Sequence, residues 1–126
     1  MEPGTFLRLY TETALWSSND ESDDSGGDPM DYNYGTEDFA PETVKVLVED
    51  CEKFQADNKG LLERAYELTG NSEARAGHDF WLTRNGHGAG FWDGDWGEFG
   101  DELTEAAKKF RNIDLYIGDD GLIYIM

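Results

Sequence analysis

The spacing of apolar positions predicts two amphipathic helices in the first half of the chain. Apolar side chains recur at near-helical intervals over residues 5–17. A second stripe follows the i, i+3, i+4, i+7 and i+10 pattern and predicts a helix over residues 41–58. Pro41 suits the first turn of that helix, because a proline there gives up no intrahelical hydrogen bond.

The second half of the chain carries weaker helical signals that glycines interrupt. A break or kink of the second helix at Gly60 precedes a further helical stretch, which is predicted over residues 61–69 and ends at Gly70. Ser72 is a candidate cap for another helix. The end of that helix stays open, because the apolar residues 80–82 suit a strand as well as a helical turn. A further helix is predicted over residues 98–111, with basic side chains at its negative end.

The end of the sequence predicts a β-hairpin. Residues 114–117 and 122–125 are rich in β-branched and aromatic side chains, and Gly118-Asp-Asp-Gly121 separates them. We therefore expect an α+β fold, with three to four helices packed on a small antiparallel sheet that ends in this hairpin. A chain of 126 residues is the length of a single domain, which we expect to span residues 1–126.

Charge is the feature that most restricts function. The chain has 28 acidic and 10 basic residues, a net charge of −18, so we expect no direct binding to nucleic acid. A single cysteine, Cys51, excludes an internal disulfide. No apolar run is long enough to span a membrane, and no signal peptide is recognisable. We therefore expect no membrane association.

The acidic residues concentrate between the first two predicted helices. Residues 19–42 contain nine acids and no base, and their glycine and serine content predicts a flexible acidic loop at about 19–40. Together with the outer face of the second helix, this loop predicts a surface for a basic partner. The predicted partner-binding residues are Asp20, Glu21, Asp23, Asp24, Asp28, Glu49, Asp50 and Glu52. The alternative is that the charge serves only solubility.

A sixteen-residue segment, HDFWLTRNGHGAGFWD at residues 78–93, is the most distinctive motif in the sequence. With ALWSS at 14–18, APET at 40–43 and DLYIGDDGLIY at 114–124, it resembles a family of small acidic proteins encoded by tailed bacteriophages and prophages. Gly94 departs from that pattern, in which a basic residue is expected after Asp93. The resemblance implies a phage accessory protein that acts in the cytoplasm of the host bacterium, and it implies no activity or cofactor.

The same motif offers candidate chemistry. A histidine beside a carboxylate can act as a general base, and an arginine can hold an anion. The candidate ligand-site residues are His78, Asp79, Arg84, Asn85, His87 and Asp93. No nucleophile accompanies them in a recognisable pattern. We favour a structural interpretation, in which the glycines shape a turn and the polar side chains tie it to the fold; a ligand site or an enzyme is the alternative.

Metal and phosphate sites find little support in the sequence. The two histidines are spaced unlike a zinc pair, and Cys51 is distant from both. The segment that begins at Asp93 lacks the glycine and the glutamate of an EF-hand loop. Gly86, Gly88 and Gly90 lack the lysine of a P-loop. We therefore predict no metal and no cofactor.

The combined expectation is a phage accessory protein that acts by protein–protein interaction. A surface that lines up carboxylates at a density like that of DNA phosphates can occupy the DNA-binding groove of another protein. The sequence thus predicts a DNA-mimic type of inhibitor or modulator, directed at a basic, nucleic-acid-binding host protein such as a defence nuclease.

Overall fold

The computed structural model describes residues 4–20, 28–86 and 89–125, and these form an α+β fold. Its helices are α1 (Thr5–Ser17), α2 (Pro41–Asp57), α3 (Lys59–Thr69), α4 (Glu73–Arg84) and α5 (Gly100–Lys108). Its strands are β1 (Asn19–Asp20), β2 (Asp28–Pro29), β3 (Leu115–Ile117) and β4 (Ile123–Ile125). Short 3-10 turns occupy Met30–Tyr32, Thr36–Asp38 and Gly97–Phe99.

The expected fold class is confirmed, but the described residues contain five α-helices rather than three to four. Two local features account for the difference. Asn58 leaves the helical region at φ −120° and ψ 22°, which separates α2 from α3. The ambiguous residues 80–82 remain helical to Arg84, in a helix that Ser72 caps by accepting a hydrogen bond from the backbone N–H of Arg75.

Helix α4 lies at the centre of the molecule. Nearly all residues of its second half are buried, and the Phe80 ring stacks on Phe54 of α2 with 4.2 Å between centroids. On another side α4 meets α1 so closely that a Cβ at Gly77 would collide with the backbone oxygen of Phe6. A helix buried on several sides shows no polar face, which is why periodicity alone left residues 80–82 open.

The C-terminal hairpin is confirmed, and it attaches to the start of α2. Strands β3 and β4 pair antiparallel with Tyr116 opposite Tyr124. The backbone oxygen of Ile123 accepts hydrogen bonds from the N–H of Ala40 (3.0 Å) and the hydroxyl of Thr43 (2.9 Å). The helices pack mainly against one another. The hairpin contacts one end of α2 and is not a sheet on which all the helices pack, as was expected.

The predicted acidic loop is in part ordered. Asn19 pairs with Pro29, and Asp20 pairs with Asp28, in a two-residue antiparallel ladder between β1 and β2. Residues 30–38 then continue through two 3-10 turns. Residues 21–27 lie outside the described part of the chain. Within the described ranges, no helix has the length and apolar character needed to cross a membrane.

Candidate functional site

The distinctive motif divides into two charged centres on α4. Residues 78–84 belong to the helix, and Phe91 lies against it, with its backbone N–H bonded to Thr83. Arg84 lies at the C-terminal end of α4 and Asp79 near its middle. His87 lies outside the described residues.

Arg84 is a buried cation, and each of its three guanidinium nitrogens donates a hydrogen bond. Its side chain is 4% exposed, and Nη1 donates to Asp50 Oδ2 (2.7 Å) and to the Tyr10 hydroxyl (3.0 Å). Nε and Nη2 both donate to the backbone oxygen of Arg111, at 3.0 and 2.5 Å. The guanidinium also lies over the rings of Phe80 and Phe110. Four hydrogen bonds join α4 to α1, α2 and the segment after α5, so Arg84 is not free to bind an anion.

The neighbouring polar side chains of the motif also form hydrogen bonds with backbone groups. Asn85 donates from Nδ2 to the oxygen of Trp81 and accepts at Oδ1 from the N–H of Ile113 (2.8 Å). Thr83 accepts at Oγ1 from the N–H of Phe91 (3.0 Å). These bonds hold the turn after α4 and the approach to β3 against the helix. Such contacts are those expected if Thr83 and Asn85 have a structural role.

Asp79 is the second centre, and it is a fully buried carboxylate. Oδ2 accepts from Trp96 Nε1 (2.6 Å) and from Arg75 Nε (3.1 Å), and Oδ1 lies 2.9 Å from His78 Nδ1. Because a carboxylate accepts, Nδ1 of His78 carries the proton in that bond. Both oxygens of Asp79 are therefore engaged, as a buried charge requires.

Arg75 connects this centre to the loop that follows the motif. Besides Asp79 it contacts Asp95 and, at 3.6 Å, Asp93. Burial alone would lower the pKa of Arg75, but Asp79 and then Asp95 and Asp93 raise it above its usual value. Arg75 thus remains charged and holds the loop to α4. Asp93, a candidate ligand residue, has a structural partner.

The candidate ligand-site residues do not converge. His78 and Asp79 contact Arg75, Trp96 and the ring of Trp16, which lies 5.7 Å from the imidazole. Arg84 has a different set of partners on α1, α2 and the segment after α5. The His78–Asp79 bond has the geometry of a base held by a carboxylate, but within the described residues no hydroxyl or thiol hydrogen-bonds to His78.

The one cysteine offers no nucleophile. Cys51 is buried on α2, and burial, followed by the charge of Asp50, raises the pKa of its thiol far above the ordinary value. The thiol is therefore protonated and unreactive at neutral pH. In the described part of the chain, no three histidine, cysteine or carboxylate side chains are grouped so that they could hold a metal ion.

The predicted acidic surface is distributed unevenly. Glu49 and Glu52 are exposed on α2, where Lys45 and Lys53 flank them. Asp50 was expected beside them, but its side chain turns inward to bind Arg84 and is not a free surface charge. The remaining predicted residues belong to the loop: Asp20 and Asp28 pair through their backbones in the β1–β2 ladder, and Glu21, Asp23 and Asp24 lie outside the described residues.

A second acidic surface is not among those predicted from the sequence. Residues 93–105 contain six acids and no lysine or arginine. Four of them, on α5 and the 3-10 turn before it, are exposed and have no cation within ion-pair distance in the described structure; we call them the acidic α5 face. This face consists of Glu98, Asp101, Glu102 and Glu105. The absence of bases, which marked residues 19–42, also marks this segment and could have revealed it.

No protein-family model, curated protein or solved structure matches this chain.

Proposed function

We propose that this protein is a phage accessory factor that binds a basic, nucleic-acid-binding protein of the host and inhibits or modulates it in the manner of a DNA mimic. The observation that carries the proposal is the exposure of its carboxylates. Every acidic side chain whose burial is described, apart from Asp79, reaches solvent. The negative charge is therefore available to a partner over most of the described surface.

The acidic α5 face is the part of that surface best suited to contact a basic groove. On α2 the carboxylates are interrupted by lysines, and Lys53 neutralises Asp57 at 2.7 Å. Between Glu98 and Glu105 the acidic α5 face contains no lysine or arginine, and Lys108 and Lys109 follow only after it. Within α5, the three carboxylates from Asp101 to Glu105 span about 6 Å of axis at a rise of about 1.5 Å per residue, or about one per 3 Å. This is close to the spacing of about 3.4 Å between charges along one DNA strand.

Exposed tryptophans provide anchors of the kind that dominate binding energy at interfaces. Trp92 is 56% exposed and Trp16 is 46% exposed, although the core has buried the other two tryptophans. Trp92 directly precedes Asp93, at the start of the base-free segment. An aromatic anchor beside a row of charges combines desolvation with electrostatic steering.

The test is affinity capture from a bacterial lysate on the immobilised protein at low salt. We expect a basic protein that is eluted both by added salt and by duplex DNA, because a DNA mimic and DNA compete for one groove. A captured protein that duplex DNA does not displace would contradict the mimicry, and recovery of no basic protein would contradict the proposal as a whole.

Two matched variants locate the binding surface. One carries Glu98→Gln, Glu102→Gln and Glu105→Gln; the other carries Glu42→Gln, Glu49→Gln and Glu52→Gln on α2. Each removes three negative charges, and each includes one glutamate in the first turn of its helix. We expect capture to be lost only in the α5 variant. Equal losses of capture in both variants would mean that binding depends on the net charge of the protein and not on one face.

A further inference from the structure

A cavity of about 580 Å³ lies apart from the motif and from the acidic α5 face. It is bounded by α1, α2, the 3-10 turn Thr36–Asp38 and the first residue of α4. Its size falls within the range of small-molecule sites. Neither the sequence patterns nor the proposed function assigns it a role.

The walls of this cavity are apolar. Phe6 of α1, Phe39 and the α2 residues Leu47, Val48 and Cys51 line it. Because the Cys51 thiol is protonated, it behaves as a small apolar group here and gives the cavity no reactive atom. Val44, also in the lining, is 42% exposed. The cavity is thus suited to bind an apolar group and not to react with it.

The polar lining of the cavity has a single sign of charge. Glu37, Glu52 and Glu73 contribute carboxylates, and no lysine or arginine is among the lining residues that the structure describes. In the described structure none of these three glutamates has an ion-pair partner. All three side chains are exposed, and carboxylates beside an apolar wall attract a cation and repel an anion.

We propose that the cavity is a binding site for a small amphiphilic cation, with its apolar body against Phe6, Leu47 and Val48 and its ammonium group beside Glu37, Glu52 and Glu73. This site is separate from the acidic α5 face, and the proposal does not depend on the proposed protein partner. Burial of apolar area supplies most of the affinity, and the carboxylates supply the preference for positive charge.

The probes are n-alkyltrimethylammonium ions and n-octyl sulfate, measured by isothermal titration calorimetry below their micellar concentrations. From n-hexyl- to n-octyltrimethylammonium we expect affinity to rise about fourfold per methylene. We expect n-octyl sulfate to bind at least tenfold more weakly than n-octyltrimethylammonium. Absence of measurable cation binding at millimolar concentration, or equal binding of the sulfate, would overturn the proposal.

Two valines on one helix give a matched control for non-specific attraction to a chain of charge −18. Val44 lines the cavity and is 42% exposed, whereas Val46 is 39% exposed and does not line it. We expect Val44→Arg to weaken n-octyltrimethylammonium binding more than tenfold and Val46→Arg to change it less than twofold. Equal effects would show that the cation binds to the general surface charge.

Two further experiments test the role of the carboxylates and the possibility of self-association. We expect Glu52→Gln with Glu73→Gln to reduce the preference for the cation over the sulfate, and Glu49→Gln, outside the cavity, to leave it unchanged. Circular dichroism checks that each variant is folded. Sedimentation velocity tests whether a second copy of the chain occupies the cavity instead of a small molecule. If the protein self-associates and Val44→Arg abolishes this association, a second copy fills the cavity and the proposal is wrong.

Discussion

The motif at residues 78–93 and the acidic α5 face differ in how their polar groups are used. The motif contains histidine, aspartate, arginine and asparagine, which together suggest an active site, yet Asp79, Arg84 and Asn85 are bound to other parts of the fold. The acidic α5 face contains only carboxylates, and they are exposed. The comparison teaches that availability of a polar group, more than variety of chemistry, distinguishes a binding surface from a scaffold.

The largest effect that the comparison predicts is the loss of Arg84. Arg84→Met leaves Asp50, the Tyr10 hydroxyl and the backbone oxygen of Arg111 without a donor. Breaking a buried charge pair in this way is expected to cost about 3 kcal/mol of the free energy of unfolding. Urea denaturation followed by circular dichroism measures it, with Lys108→Met, an exposed cation, as the control. A change below about 1 kcal/mol would mean that Arg84 is not structural.

The second largest effect is expected at Asp79. In Asp79→Asn the amide nitrogen cannot accept, so at least one of the donors from Trp96, Arg75 and His78 loses its acceptor. We expect a loss of about 2 kcal/mol, because an unsatisfied buried donor carries its desolvation cost. Urea denaturation followed by circular dichroism measures this loss, and Asp93→Asn is the matched control. Unchanged stability together with an altered chemical activity would favour a functional histidine–aspartate pair.

Neutralising the acidic α5 face is expected to affect stability much less. The variant with Glu98→Gln, Glu102→Gln and Glu105→Gln loses a favourable helix-dipole interaction at Glu102, worth about 0.5 kcal/mol, and gains relief from repulsion between like charges. We expect the free energy of unfolding in urea to change by less than about 1 kcal/mol. A loss as large as that of Arg84→Met would place these residues in the scaffold and remove the contrast between the two regions.

The smallest predicted effect concerns an exposed pair in the hairpin. The Tyr124 hydroxyl donates to Asp120 Oδ2, which lowers the pKa of Asp120 and raises the pKa of Tyr124 to about 12. Tyr124→Phe should raise the pKa of Asp120 toward its ordinary value of about 3.9 while keeping the ring stacked on Tyr116. Carbon-13 NMR of the carboxyl group as a function of pH measures this shift.

The sign of the associated stability follows from the lowered pKa. A carboxylate with a lower pKa in the folded state stabilises that state above its unfolded pKa, and this contribution is lost as pH falls through the folded pKa. The wild-type hairpin should therefore keep this bond at pH 5 and lose it in stronger acid. Tyr116→Phe, on the opposite strand, removes a hydroxyl that has no bond to Asp120, so an Asp120 pKa that moves equally in both variants would contradict the assignment.

The sequence predicted the parts of the fold that have one apolar face. Helices α1 and α2 and the hairpin follow from periodicity, because each has a solvent-exposed side that the sequence displays. Helix α4 is buried on several sides, so its residues 80–82 carry no period that separates helix from strand. The bonds of Arg84 were beyond sequence reasoning, since Tyr10, Asp50 and Arg111 are brought together only by tertiary packing.

Some features of the candidate sites could likewise be predicted from the sequence and others could not. The base-free run in residues 93–105 is visible in the sequence, whereas the inward turn of Asp50 is not, because helical spacing places Asp50 at the boundary between the buried and exposed sides of α2. The cavity beside Val44 depends on the separation of α1, α2 and the turn at residues 36–38, and no local pattern encodes that distance.

The most direct test of the central claim is the salt dependence of affinity for the captured basic protein, measured by calorimetry for the wild-type protein and the two triple glutamine variants. We predict that the wild-type dissociation constant rises steeply with sodium chloride concentration, that the α5 variant binds weakly with a shallower dependence, and that the α2 variant resembles the wild type. A dissociation constant independent of salt, or identical slopes for all three proteins, would contradict the claim that the acidic α5 face binds the partner.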